Sequence, residues 1–206
     1  MQILNDFNTS VKKAFDEIDP NWEKYPGYVI CGTHSPGKET TEQYIKVIEN
    51  CRLSHTPFLG ICYGFQLAVI EYARNVCGIK DAGTEELNDK VWTVQKLSET
   101  RVGMKEVTDP ITLQPVKESH WHTYYVRDKT YWDLWNECHE GKDWFLNGRS
   151  TDGILEWFEI VFQIYDGPKR KPTFFMGTQY HPEYQSAMYS PHPLLVKFIS
   201  NAKMAM

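Results

Sequence analysis

Pro57-Phe-Leu-Gly60-Ile-Cys62-Tyr63-Gly64-Phe-Gln66-Leu-Ala-Val-Ile-Glu-Tyr-Ala-Arg-Asn-Val76 decides the fold. Pro57 opens Phe58–Ile61, a short apolar run of the length and bulk of a buried strand. Leu67, Ala68, Ile70, Tyr72, Ala73 and Val76 then recur at helical spacing to about Gly78. Cys62 therefore sits between a strand and a helix. The same order stands just upstream. Tyr28–Cys31 is a β-rich apolar run that breaks into the turn-rich Gly32–Gly37, and from Thr40 or Thr41 the residues Tyr44, Ile45, Val47 and Ile48 keep helical spacing to about Cys51. Strand–helix–strand–helix with short connections calls for a mostly parallel sheet covered by helices, an α/β three-layer sandwich.

Beyond that core, Thr173–Gln179 reads as a last buried strand and Pro193–Ala202 as a closing helix. Residues 80 to 165 are irregular and rich in tryptophan (Trp92, Trp121, Trp132, Trp135, Trp144, Trp157), with short alternating runs such as Tyr124–Val126 that suggest a small antiparallel section. Met1–Asn8 is a possible first strand, with little room for a helix after it. No repeat or linker interrupts the 206 residues, so one domain over 1–206 is expected.

Composition narrows the function. A net charge of −5 gives no footprint for nucleic acid or an anionic membrane surface. The longest apolar stretch, Phe58–Phe65, is eight residues with two glycines, against roughly 20 for a membrane span. Met-Gln-Ile-Leu-Asn-Asp at the start lacks the basic and apolar regions of a secretory signal. The five cysteines are an odd number with no C-x-x-C pair. A cytoplasmic protein with free thiols, no structural metal and no cofactor is the expectation.

Gly60-Ile-Cys62-Tyr63-Gly64 is a G-x-C-x-G turn, in which flanking glycines let the chain reverse sharply beneath a strained nucleophile. A cysteine there stands at a helix N-terminus, where backbone N–H groups and the helix dipole favour the thiolate. Those N–H groups, that of Tyr63 above all, suit an oxyanion.

The segment 57–76 resembles the nucleophile segment of class I glutamine amidotransferases, in particular the C-terminal glutaminase domain of CTP synthases. Thr178-Gln-Tyr-His181-Pro-Glu183-Tyr resembles the same family's second signature, in correct order. The resemblance implies a triad of Cys62 as nucleophile, His181 as its base and Glu183 orienting the base. The chemistry agrees: a thiol needs an imidazole to take its proton and later protonate the leaving amine, and a carboxylate fixes the imidazole. The resemblance also implies that Glu86, with Glu85 as adjacent alternative, holds a substrate α-ammonium, that Gln66 lies beside the substrate, and that Gly32 supplies an oxyanion N–H together with Tyr63. Gly148–Gly153 followed by Glu156–Ile160 resembles the strand pair preceding the last core strand.

Two positions depart from the family. Its oxyanion loop usually reads P-G-G-x-G, whereas Cys31-Gly32-Thr33-His34-Ser35 retains one glycine and places a Cβ at Thr33. In Glu118-Ser-His-Trp-His-Thr123-Tyr-Tyr-Val126 the arginine that pairs with the α-carboxylate of glutamine is replaced by Thr123, which makes no bidentate charged contact. His120 and His122 alternate there and read as ordinary polar positions, because no third ligand stands at metal-binding spacing. No G-x-x-x-x-G-K-[ST] loop appears, so the chain is not expected to make CTP by itself.

The expected activity is hydrolysis of the side-chain amide of glutamine, or of another γ-glutamyl amide, through a Cys62 thioester. Glutamine as substrate implies a synthase partner that accepts ammonia. The rival reading is a binding or regulatory module that keeps the fold without turnover.

Overall fold

The computed structural model describes residues 1–127, 144–161 and 174–206; Trp132, Trp135, Cys138 and Thr173 lie outside them. The N-terminal half runs β1 (Gln2–Leu4), α1 (Asn8–Ile18), β2 (Tyr28–Ile30), α2 (Lys38–Ser54), β3 (Phe58–Ile61), α3 (Tyr63–Asn75) and β4 (Ala82–Thr84). It continues with β5 (Val91–Thr108), β6 (Pro115–Val126), β7 (Trp144–Arg149), β8 (Leu155–Val161), β9 (Phe175–Thr178) and α4 (Pro193–Met204).

Six strands form the central sheet in the order β1-β2-β3-β9-β8-β7. The first four are mutually parallel, and β8 and β7 are added antiparallel at one edge. Every residue of β3 and β9 is buried, as a sheet covered on both faces requires. Alternation along the strands divides the core in two. Phe58 and Phe175 pack with α2 and α3 on one face, while Leu59, Ile61 and Met176 pack with α1 and α4 on the other. The expected α/β three-layer sandwich is thus present, as is its antiparallel section. Buried Glu71 on α3 is gripped by the guanidinium of Arg52 on α2, with Nη2 2.7 Å and Nε 3.0 Å from its oxygens, which supplies the partner that a buried carboxylate needs.

The expected lack of room after the first strand is overturned, since α1 follows β1 after three residues. Val11, Ala14, Phe15 and Ile18 recur at i, i+3, i+4 and i+7; the first three are buried, and Phe15 meets Phe198 of α4 with ring centroids 5.9 Å apart. Asn5, at φ 82°, makes the sharp turn that saves length. Helix α2 begins at Lys38 rather than Thr40, and α3 at Tyr63, directly after the cysteine. In the middle of the chain β5 and β6 form a long antiparallel ribbon whose register shifts between Lys96 and Arg101. Trp157 is buried and donates to the Thr108 carbonyl at 2.6 Å, while Trp92 and Trp121 are exposed.

Candidate active site

Cys62 closes β3 and immediately precedes α3, at φ 56° and ψ −102°. A non-glycine residue reaches this region only when its surroundings enforce it. The enforcement is visible in the two flanking glycines. A Cβ on Gly60 would stand 2.6 Å from the carbonyl carbon and oxygen of Gly64, and one on Gly64 would stand 2.0 Å from the Ile30 oxygen. The cysteine N–H donates to the Thr178 carbonyl at 2.7 Å, and its own carbonyl accepts from the Gln66 N–H at 3.2 Å. Strands β3 and β9 and the first turn of α3 therefore share in fixing the bend. Cys62 as a residue is 9% exposed, and its sulfur lies 3.9 Å from the Trp121 carbonyl and 3.8 Å from Nε2 of Gln179.

His181 follows β9, caps the short 3-10 helix Pro182–Gln185, and is 3% exposed. Its N–H donates to the Ser119 carbonyl of β6 at 2.8 Å. Nδ1 lies 2.8 Å from Oε1 of Glu183, and the Tyr184 ring stacks on the imidazole at 4.9 Å between centroids. Among the described residues, buried Nε2 has no partner at ordinary hydrogen-bond geometry, although the Cys62 sulfur is near enough to act on the ring. It faces the same space as the thiol, because a Cβ on Gly32 would lie 3.5 Å from Cε1 of His181 and 3.6 Å from Cβ of Cys62. Burial disfavours the imidazolium, but the Cys62 sulfur and the Glu183 carboxylate outweigh it and raise the pKa to about 10. The imidazole is thus held ready to take and return a proton beside the sulfur.

Beside the thiol opens a cleft of about 140 Å³, and Thr33, Gln66, Glu86 and Thr123 all line it with Cys62 and Tyr63. Glu86 rather than Glu85 faces the cleft: Glu85 is turned outward and accepts the Lys96 N–H at 2.7 Å. Burial pushes the Glu86 carboxyl up to about 7. Gln66 is buried, and its Nε2 donates to the Tyr124 carbonyl at 2.9 Å and to Oε1 of Gln179 at 3.1 Å. The Tyr63 hydroxyl is bonded away from the thiol to Thr41 at 2.6 Å, which leaves the backbone of this first helical residue beside Cys62. Thr33 also bonds outward, to Asp6 at 2.5 Å, and the Thr123 hydroxyl lies 3.1 Å from that of Thr100. A smaller space of about 20 Å³ on the His181 side is bounded by Gly32, His34, Trp121 and Tyr184, room for one molecule the size of water or ammonia.

Sequence reasoning missed several members of this site. Gln179 belongs to the His181 segment, but its contact with Cys62 spans 117 positions and has no local signature. Trp121 and His34 border the cleft with ring centroids 5.4 Å apart. His120 and His122, read as ordinary polar positions on a strand, are both buried on β6. His120 bonds Glu156 at 2.8 Å, and His122 lines the cleft. Among the described residues no group of three or more ligating side chains is placed to hold a metal ion, and no helix is long and apolar enough to cross a membrane. A larger cavity of about 250 Å³ lies around Glu118, Tyr180 and His192; it does not include the strained cysteine, which is the stronger mark of chemistry.

Known proteins share this sequence pattern and fold. Residues 5–201 match the family model described as Glutamine amidotransferase class-I. A CTP synthase of Sulfolobus acidocaldarius is 32% identical over 215 residues, which cover 95% of this chain and 37% of that protein. A CTP synthase of Thermotoga maritima is 33% identical over 218 residues, 95% of this chain and 38% of that one. The chain thus spans less than two fifths of the length of these curated relatives. Among solved structures, the glutaminase domain of the Trypanosoma brucei CTPS with bound acivicin superposes with a TM-score of 0.75 over 98% of this chain and 92% of that one, at 20% identity, a likeness of fold.

Proposed function

We propose, from the premise that the chain belongs to the class I glutamine amidotransferase family, that its 206 residues form one amidohydrolase domain that cleaves a γ-carboxamide through a thioester on Cys62. The observation that carries the reading is the strained Cys62 at φ 56°, next to a His181 imidazole bonded to Glu183.

The Cys62 thiolate attacks the amide carbon, forming a C–S bond and pushing the carbonyl electrons onto oxygen. The N–H groups of Gly32 and Tyr63 stabilise that oxygen. His181 protonates the nitrogen as the C–N bond breaks, and ammonia leaves. Water then attacks the thioester while His181 takes its proton, the C–S bond breaks, and the thiolate returns with a carboxylic acid as second product. In the CTP synthase-like reading that ammonia passes to a synthase partner.

The test is hydroxylamine trapping. Unaltered protein incubated with a primary amide substrate and hydroxylamine yields the hydroxamate, and a Cys62-linked acyl group is seen by mass spectrometry of the cysteine peptides. Hydroxamate formation that persists in Cys62→Ala sinks the proposal.

Two further outcomes follow. In Glu183→Gln the imidazolium loses its carboxylate, the His181 pKa falls from about 10, and the ring becomes a weaker base for the Cys62 proton. Alkylation of Cys62 by iodoacetamide at pH 7 slows by about tenfold, a one-unit change in the governing equilibrium; an unchanged rate removes Glu183 from this role.

The Glu86 carboxyl, raised from 4.5 to about 7, binds its proton more tightly in the empty folded protein than in the unfolded chain. Its contribution to stability is present below pH 4.5 and is lost as pH rises through 7. A substrate ammonium requires the carboxylate, so below pH 7 binding must expel that proton. KM for an amine-bearing amide falls as pH rises to about 7 and then levels, and Glu86→Gln flattens this profile.

A further inference from the structure

The loop after β2, Cys31–Ser35, keeps one glycine, yet none of its residues, Gly32 and Thr33 included, takes a positive φ. Its shape is not stored in dihedrals that favour glycine, so contacts with the rest of the fold have to fix it. The turn between β1 and α1 supplies them. Nδ2 of Asn5 donates to the Cys31 carbonyl at 3.1 Å, and the Cys31 N–H donates to the Leu4 carbonyl at 3.1 Å. The Thr33 hydroxyl donates to Asp6 and accepts the Ser35 N–H at 3.1 Å. The Phe7 ring stands edge-on to His34, with centroids 4.6 Å apart, and abuts Gly32, where a Cβ would lie 3.2 Å from its Cδ2.

The bond from Asn5 reaches furthest into the chemistry. The Cys31 carbonyl and the Gly32 N–H belong to one planar trans peptide, in which they point in opposite directions. A carbonyl only accepts, so the Asn5 amide nitrogen is the atom that faces it. Holding that oxygen sets where the N–H is aimed. Resting on the proposed thioester chemistry, we infer that Asn5 is a positioning residue for the reaction: through the Cys31 carbonyl it fixes the Gly32 N–H that receives the oxyanion. Such a donor lowers the barrier to the extent that it is in place before charge develops. Asparagine suits the post because it also tolerates the φ of 82° that the turn requires.

Asn5→Asp and Asn5→Gly test the inference. Aspartate and glycine both tolerate the positive φ, and neither offers the donor. With L-glutamine as probe, kcat for ammonia release falls about tenfold in both variants, part of the 10²–10³ that outright loss of an oxyanion donor costs. KM stays within about twofold, the pattern of an interaction made only in the transition state. Iodoacetamide alkylates Cys62 by displacing iodide at a saturated carbon, which develops no oxyanion, so its rate is unchanged. That readout separates an aimed N–H from a general loosening of the site. A kcat within about twofold of the unaltered protein, or alkylation slowed as much as turnover, overturns the inference and leaves the Cys62 thioester standing if hydroxylamine still traps it. No ammonia and no hydroxamate from the unaltered protein overturns both.

Discussion

Cys62→Ala hydrolyses amides at least about 10⁴-fold more slowly than the unaltered protein, the loss that follows removal of a nucleophile acting as one unit with its base. Alanine keeps the backbone of the bend, because the flanking glycines and the bond from the residue 62 N–H to the Thr178 carbonyl do not involve the sulfur. Folding is therefore retained, and the loss appears in kcat with ligand binding preserved. Cys62→Ser falls nearly as far: a hydroxyl is a much weaker acid than a thiol, and the neighbouring imidazole does not ionise it to a useful extent. Steady-state ammonia release, paired with a thermal melt of each variant, measures both parts. Activity in Cys62→Ala within tenfold of the unaltered protein removes this residue from the chemistry.

Gly64→Ala destabilises the fold by about 3 kcal/mol or more, the upper end of the overpacking range, and lowers the melting midpoint by roughly 6–12 °C at this chain length. The new Cβ falls 2.0 Å from the Ile30 carbonyl oxygen and 2.7 Å from its carbon. These atoms belong to the backbone of β2, which is pinned between β1 and β3, so no side chain can swing aside to make room. Gly37→Ala is the contrast. Its Cβ meets only the Thr40 side chain, at 3.6 Å or beyond, and the midpoint shifts by the equivalent of about 1 kcal/mol or less. A melt of Gly64→Ala indistinguishable from that of Gly37→Ala contradicts the packing argument.

What was legible in the chain is what short-range physics writes there. Phe58–Ile61 announced a buried strand because both faces of that strand are covered, and the two glycines around Cys62 announced the bend because each touches backbone. Helix α1 carried an equally plain signal in Val11, Ala14, Phe15 and Ile18, and was overlooked because the space before β2 looked too short; the turn at Asn5 supplies the missing room. Glu86 was reachable by counting from Cys62. His122 and Gln179 were not, since they meet the site only through pairings across the fold, and a strand's alternation does not say which polar residue will face a neighbouring helix. The burial of His120 likewise depends on Glu156, 36 positions away. Its pairing lives in the sheet and nowhere in the local sequence.

Strand β6 holds the site almost wholly through its main chain. The Ser119 carbonyl anchors the N–H of His181, the Trp121 carbonyl faces the thiol, and the Tyr124 carbonyl orients both Gln66 and His122. Side-chain replacement leaves all three oxygens where they are. The strand thus separates two demands: its backbone keeps the reacting atoms in register, while a less buried side chain such as Thr123, which lines the cleft, is open to exchange. A substitution at such a position can change what the cleft holds while the carbonyls that fix His181, Gln66 and His122 stay where they are.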